Sequence, residues 1–231
     1  MKGLAFDVLG TVGHFRRPDT TATQMTYPFI TPTAAKGLVG AILGIEDFVT
    51  SDRIGIELLR PVCTVAQQMS MLGKDPGNSF NRPTTLELLV NPGYRLYYTG
   101  EEHTEELLDF LLEEKAAYTT YLGAAYALTK PVLHRVYAEV SYPAPEEKEI
   151  ESRTVVPTAL IREIVLKGER YYCRAGGYLY EYKGQRRFEK SVDFLYEKDG
   201  KPIAFIPKSH QEEGALDLRL ARFGEDWVCL V

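Results

Sequence analysis

A helix that carries glycine at every third or fourth position has to be held by something outside itself, and this chain contains one. Thr31 is a side-chain cap, and Pro32 stands in the first helical position, where its missing N–H costs nothing. Leu38, Ile42 and Ile45 then form an apolar stripe over a helix running to about Ile45. Gly37, Gly40 and Gly44 recur at helical spacing in the same segment, each costing about 1 kcal/mol of helix propensity. Such a helix needs a close neighbour: a sheet, a polymer backbone at its first turn, or a partner subunit. A strand lies just upstream, where Leu4, Phe6 and Val8 alternate with Gly3, Ala5 and Asp7 before Gly10 and Gly13 break the pattern into a loop.

That loop is chemically unusual. His14-Phe15-Arg16-Arg17-Pro18-Asp19-Thr20-Thr21 and Thr26-Tyr27-Pro28-Phe29 place two arginine forks, several hydroxyls and aromatics ahead of Lys36 in the helix's early turns. Arginine forks, hydroxyls and a helix N-terminus are phosphate-binding groups, and Gly37 lets a backbone amide come close to an anion. Arg16, Arg17 and Lys36 are therefore expected to form one small cationic hollow. The molecule as a whole is anionic, with 27 Lys+Arg against 32 Asp+Glu and a net charge of −5, so any polyanion site is local rather than a product of bulk charge.

Further along, Ile54, Ile56 and Leu58 begin a second strand expected to run through Val62 and Val65. Leu86, Leu88 and Val90 begin a third, expected to continue past Asn91-Pro92-Gly93 into Tyr94 to Tyr98. The stretch from Gln67 to Pro83 between them is too long for an ordinary turn and reads as a functional excursion. Residues 105–115 form an amphipathic helix with Thr104 as its expected cap, and Val136, Ala138 and Val140 alternate in a fourth strand. The order predicts an α+β chain: a ferredoxin-like (RRM-like) βαββαβ domain over residues 1–145, and a smaller, mostly β domain over 146–231. Pro143-Ala144-Pro145 and the acidic run after it mark the boundary. In the second part, Ala175-Gly176-Gly177 and Asp199-Gly200 read as hairpin turns. Residues 162–190 there hold eight basic and four acidic side chains, a second, weaker polyanion patch.

Three cysteines in no CxxC arrangement suggest neither a disulfide framework nor a metal site. The N-terminus lacks the pattern of a signal peptide and no apolar run approaches membrane-spanning length, so a cytoplasmic protein without membrane contact is expected.

The residues from Gly13 to Asp19, from Thr26 to Phe29 and from Pro32 to Gly44 resemble the N-terminal signature of a CRISPR-associated RAMP family, the crRNA 5′-handle-binding subunit of type I (Cascade) effector complexes. The variety is most similar to the type I-B or I-A form, and Tyr121-Leu122-Gly123 looks like a further family element. The resemblance implies an RRM-like domain with a thumb hairpin between its second and third strands, here Gln67 to Pro83. It implies a non-catalytic RNA-binding role in antiviral defence, with the crRNA 5′ handle, the backbone RAMP subunits and the large subunit as partners, and no cofactor or small-molecule substrate. Carried over to this sequence, the RNA-binding residues would be His14, Phe15, Arg16, Arg17, Tyr27, Lys36, Gly37, Lys74, Phe80 and Arg82, with Tyr27 or Phe15 stacking on a base, or Tyr27 serving instead as a packed anchor of the loop before Pro28.

One branch of that family cuts precursor crRNA without metal, using tyrosine, lysine and histidine. The four histidines here, His14, His103, His134 and His210, include none with an adjacent lysine, and Lys130 and His134 are the nearest pair. Binding without cleavage is the expectation, with an endoribonuclease as the alternative.

Overall fold

The computed structural model describes residues 1–75, 77–144, 146, 148–208 and 218–231, the side chains of residues 74 and 75 excepted. The chain runs through strand β1 (Gly3–Leu9), helix α1 (Pro32–Leu43), strands β2 (Arg53–Leu58), β3 (Thr64–Asp75), β4 (Asn78–Val90) and β5 (Gly93–Thr99), helix α2 (Thr104–Leu112) and strand β6 (Val132–Tyr137). Strands β2, β5, β1 and β6 form an antiparallel sheet in that order. Leu4, Phe6 and Val8 share a core with their cross-strand partners Tyr98, Leu96 and Tyr94, with Leu38, Val39 and Ile42 of α1, and with Leu107, Leu108 and Leu111 of α2. The alternation in β1 marks this helix-covered face.

The other face of the sheet is buried too. Ala5 and Tyr97 there meet Tyr137, Val140, Phe223, Val228 and Leu230. The small residues of β1 are spacing requirements: a Cβ on Gly3 would stand 2.5 Å from the Val140 side chain and 2.8 Å from the Phe223 ring.

The remainder is mostly strand, as expected. Segments Ile161–Ile164, Ile203–Pro207, Ile150–Ser152, Asp226–Leu230, Arg219–Phe223 and Val140–Ser141 make a six-stranded sheet in that order. Strands β7 (Tyr172–Tyr182) and β8 (Phe188–Glu197) pair as a hairpin edged by Val156–Pro157. Side chains from both sides of residue 145 meet in one core, where Phe29 stacks on Tyr178 with ring centroids 4.8 Å apart.

Several local expectations give way to tertiary contacts. Val65 belongs not to β2 but to β3, and Leu86–Val90 lies not in the central sheet but in β4. The break at residues 91–93 separates β4 from β5, because Asn91 takes a left-handed φ of 48° and Pro92 has no N–H to donate. Strands β3 and β4 pair with each other from Thr64↔Leu89 to Asp75↔Asn78. The outer half of this hairpin is exposed, and its base is edged by Val12–Gly13 and Thr23–Gln24 from the basic loop.

Thr104 is the first residue of α2 rather than its cap. Its hydroxyl donates to the Gly100 carbonyl, while the Asp52 carboxylate accepts from the N–H groups of Glu102 (3.1 Å) and His103 (2.8 Å). The fourth strand ends at Tyr137, and Val140 pairs in the other sheet. Gly176 and Gly177 form a bulge inside β7 rather than a turn. The turn at Asp199-Gly200 exists, but it links strands of two different sheets. There the buried Glu197 carboxylate accepts the N–H groups of Tyr171, Asp199 and Lys201.

Candidate nucleic-acid interface

The basic loop is a folded structure. The N–H of Tyr27 donates to the Phe15 carbonyl (2.8 Å) and that of Arg17 to Met25 (2.9 Å), so the loop doubles back on itself as a narrow ribbon. The N–H of His14 donates to the Leu122 carbonyl (3.0 Å), and fully buried Leu122 sits beneath. Gly123 follows with a φ of 83°, and a Cβ there would stand 2.1 Å from the His14 carbonyl oxygen. The Tyr121-Leu122-Gly123 element is thus the floor on which the loop rests.

Burial divides the expected RNA contacts. His14 and Phe15 are interior residues, 6% and 4% exposed. His14 Nδ1 donates to the Glu87 carbonyl at 2.8 Å, and Phe15 meets Tyr94 edge-on, so neither reaches a ligand outside. Tyr27 is also buried. Its ring lies 4.3 Å from that of Tyr178, its hydroxyl donates to the Gly177 carbonyl at 2.8 Å, and burial raises its pKa. It anchors the loop instead of presenting a stacking face. A buried aromatic and a stacking aromatic look alike in a sequence.

The arginines do face outward. Arg16 is exposed, with no ion pair among the described residues. Arg17 grips Asp19 through two bonds, Nε to Oδ1 at 3.1 Å and a terminal nitrogen to Oδ2 at 2.7 Å, and this raises the arginine's pKa and lowers the aspartate's. Arg17 lines a cleft of about 720 Å³ whose other wall comes from the far end of the chain, with Arg174, Tyr196 and Lys198 facing Tyr27, Cys63 and Glu87. Arg174 is held by Asp193 at 2.6 Å, an aspartate that also accepts the Gly177 N–H and whose pKa the arginine lowers. A Cβ on Gly176 would stand 2.7 Å from Asp193 Oδ1, so the bulge glycine is what allows this arrangement.

Lys36 is elsewhere. It lines a second, smaller cavity with Gly37 and Arg186, so Arg16, Arg17 and Lys36 do not make a single hollow. Phe80 and Arg82 lie on the exposed outer half of the β3/β4 hairpin. The Phe80 ring covers Gly73, where a Cβ would meet it at 2.7 Å. Lys74 pairs with Ser79 in the backbone, and its side chain lies outside the described residues, as does His210.

Arg174 falls within the basic stretch the sequence marks at 162–190, but nothing in the sequence ties it to Arg17. Lys198 and Tyr196 carried no signal, since their role depends on the β7/β8 hairpin folding back over the loop. Among the described residues no cluster of three or more His, Cys, Asp or Glu could hold a metal ion, and no helix is long and apolar enough to cross a membrane.

The fold and cleft define an α+β protein, rich in strands, with a long hairpin exposed in its outer half and a partly basic groove at its base. Residues 3–66, just over a quarter of the chain, match the family model of a CRISPR-associated protein (Cas_Cas5). Among solved structures, the fold is similar to a CRISPR protein from Archaeoglobus fulgidus (13% identity, TM-score 0.58, covering 99% of this chain and 98% of that one). It is also similar to a chain of a CRISPR RNA-guided surveillance complex (13% identity, TM-score 0.54, covering 89% and 91%). No curated protein matches the sequence.

Proposed function

We propose that this chain is a non-catalytic RNA-binding subunit of a type I CRISPR interference complex, of the I-B or I-A kind. It would hold the repeat-derived 5′ handle of crRNA and help assemble the backbone RAMP subunits and the large subunit. The observation that carries this reading is the cleft in which Arg17, Arg174 and Lys198 converge at the base of the β3/β4 hairpin. Its two arginines are each held by an aspartate, which orients the guanidinium, and a phosphate oxygen can take that aspartate's place. The strand order β2-β5-β1-β6, with α1 and α2 as crossovers, suits a ferredoxin-like, RRM-like plan, and the exposed β3/β4 hairpin suits a thumb. The family match over residues 3–66 and the likeness to a chain of an RNA-guided complex support the same assignment.

Of the groups that cleavage would need, His14 is sealed in the interior, whereas His134 and Lys130, the latter paired with Glu114 at 2.5 Å, are exposed, so cleavage is a matter for experiment. Electrophoretic mobility of the protein with handle-bearing RNA and with a scrambled handle tests the proposal. Preferential retention of the former is expected, and equal affinity would refute handle recognition. Precursor repeat RNA incubated with the protein in EDTA should stay intact, whereas discrete cleavage would point to the endoribonuclease.

A further inference from the structure

Apart from the cleft, a cavity of about 260 Å³ lies between the start of α1 and the tip of the β7/β8 hairpin. Thr33, Lys36 and Gly37 form one side, Phe48 another, and Arg186 and Phe188 the side contributed by the hairpin. The walls are fixed. Phe48 presses on α1 where Gly40 leaves room, since a Cβ there would stand 2.7 Å from the phenylalanine, and its ring lies 5.0 Å from that of His103. The hairpin tip is tied down by Asp47, whose carboxylate accepts from the Tyr182 hydroxyl and the Gln185 N–H.

Lys36 is the chemically unfinished part of this cavity. It is partly buried and makes no hydrogen bond or ion pair among the described residues. Glu181, which also lines the cavity, is already engaged by Lys183 at 2.5 Å and Lys190 at 3.1 Å. Glu46 is the second acid on the lining, and Asp52 and Glu102 lie near enough to act on Lys36, but none of these carboxylates pairs with it. A desolvated ammonium with no carboxylate at ion-pair distance is complemented by an incoming anion. Phe188 packs one side of its ring on Tyr182, with centroids 5.1 Å apart, and stays 43% exposed beside the cavity, while nothing lies within 4 Å of a Cβ built on Gly37. The volume falls just below that of usual ligand clefts, about 300 to 1,000 Å³, which suits one nucleotide rather than a duplex.

We propose that this cavity receives a single unpaired nucleotide, its base against Phe188 and its phosphate on the Lys36 ammonium. The inference deepens the RNA-binding reading above and rests on it. The nucleotide could belong to a bound strand or be a free mononucleotide; the recognition chemistry is the same.

Labelling with pyridoxal phosphate and borohydride, mapped by peptide mass, reads Lys36 directly, and fluorescence anisotropy with a labelled single-stranded RNA reads strand binding. AMP should slow labelling of Lys36 but not of exposed Lys115, and Phe188→Ala should abolish that protection. Lys36→Met and Phe188→Ala should each weaken the RNA complex by roughly fivefold or more, the scale of one stacked base. Phe188 is at the surface, so its replacement leaves the core intact. Protection by AMP with unchanged RNA affinity would identify a free nucleotide as the occupant. Absence of both effects overturns the proposal. In that case Arg174→Ala separates the two readings: if it weakens RNA binding, only the nucleotide cavity is wrong, and if it does not, both readings fall.

Discussion

The Tyr27 hydroxyl donates to the Gly177 carbonyl across 150 residues of chain, and this 2.8 Å bond joins the basic loop to the bulge that positions Arg174. Tyr27→Phe removes the bond and leaves the ring on Tyr178, so a loss of about 1 kcal/mol is expected. Tyr27→Ala also empties a buried aromatic site and should cost about 3–5 kcal/mol. Urea unfolding of the two variants checks the ratio. RNA affinity should follow the same order, because only the alanine variant frees both walls of the cleft.

Gly123 should tolerate no side chain. Its φ of 83° is strained for any L-residue, and a Cβ would enter the space of the His14 carbonyl oxygen at 2.1 Å. Gly123→Ala therefore lifts the loop off Leu122 and should destabilise by well over 1 kcal/mol. Gly37→Ala makes the contrast: it sits in an exposed helical position with open space around it, and should stabilise by roughly 0.5–1 kcal/mol. Thermal unfolding of the pair distinguishes a glycine needed for shape from one that is not.

These two glycines show how far the sequence could be read. The start of α1 was legible because capping is local: Thr31 accepts the Ala34 N–H at 3.1 Å with Pro32 next to it. The three helical glycines signalled close approach, yet they serve different ends. Gly40 admits Phe48, Gly44 takes a φ of 80° to close the helix, and Gly37 is open. The hairpin excursion was legible from its length, though not its arms from Thr64 to Val90, because their pairing is nonlocal. The burial of Phe15 and the choice between stacking and anchoring at Tyr27 are illegible in the sequence for the same reason. Whether an aromatic next to arginines faces RNA or the core is decided by Tyr94 and Tyr178, which arrive from elsewhere in the chain.

Lys36 should give the protein a measurable pH signature. Burial, then the neighbouring Arg53, lowers its pKa from 10.5 to about 8. Between these two values the unfolded chain holds more protons than the folded one, so stability contributed through this group rises with pH across about 8 to 10.5. Lys36→Met should therefore stabilise the protein at pH 7, by on the order of 1 kcal/mol or more, and flatten that rise. Urea midpoints of both proteins from pH 7 to pH 10 check this. An anion bound at Lys36 would favour the ammonium, so affinity for a phosphate ligand there should fall as pH rises past about 8.

The cleft makes a different, electrostatic prediction. Arg174 and Lys198 lie on the wall that the far end of the chain supplies, and neither side chain enters the hydrophobic core. Replacing either with alanine should leave the unfolding midpoint nearly unchanged while weakening RNA binding at low salt. If each meets one phosphate, each substitution should also lower the slope of log affinity against log salt by about 0.7, the value for a single strand. Asp193→Asn sharpens the test. It loosens Arg174 and weakens the acceptor for the Gly177 N–H without removing a positive charge. Its salt slope should stay close to the parent's even where its affinity falls, which separates loss of a phosphate contact from loss of the geometry that presents it. Salt titrations of the three variants against one single-stranded RNA make the comparison, and equal slopes in all of them would place the phosphates outside this cleft.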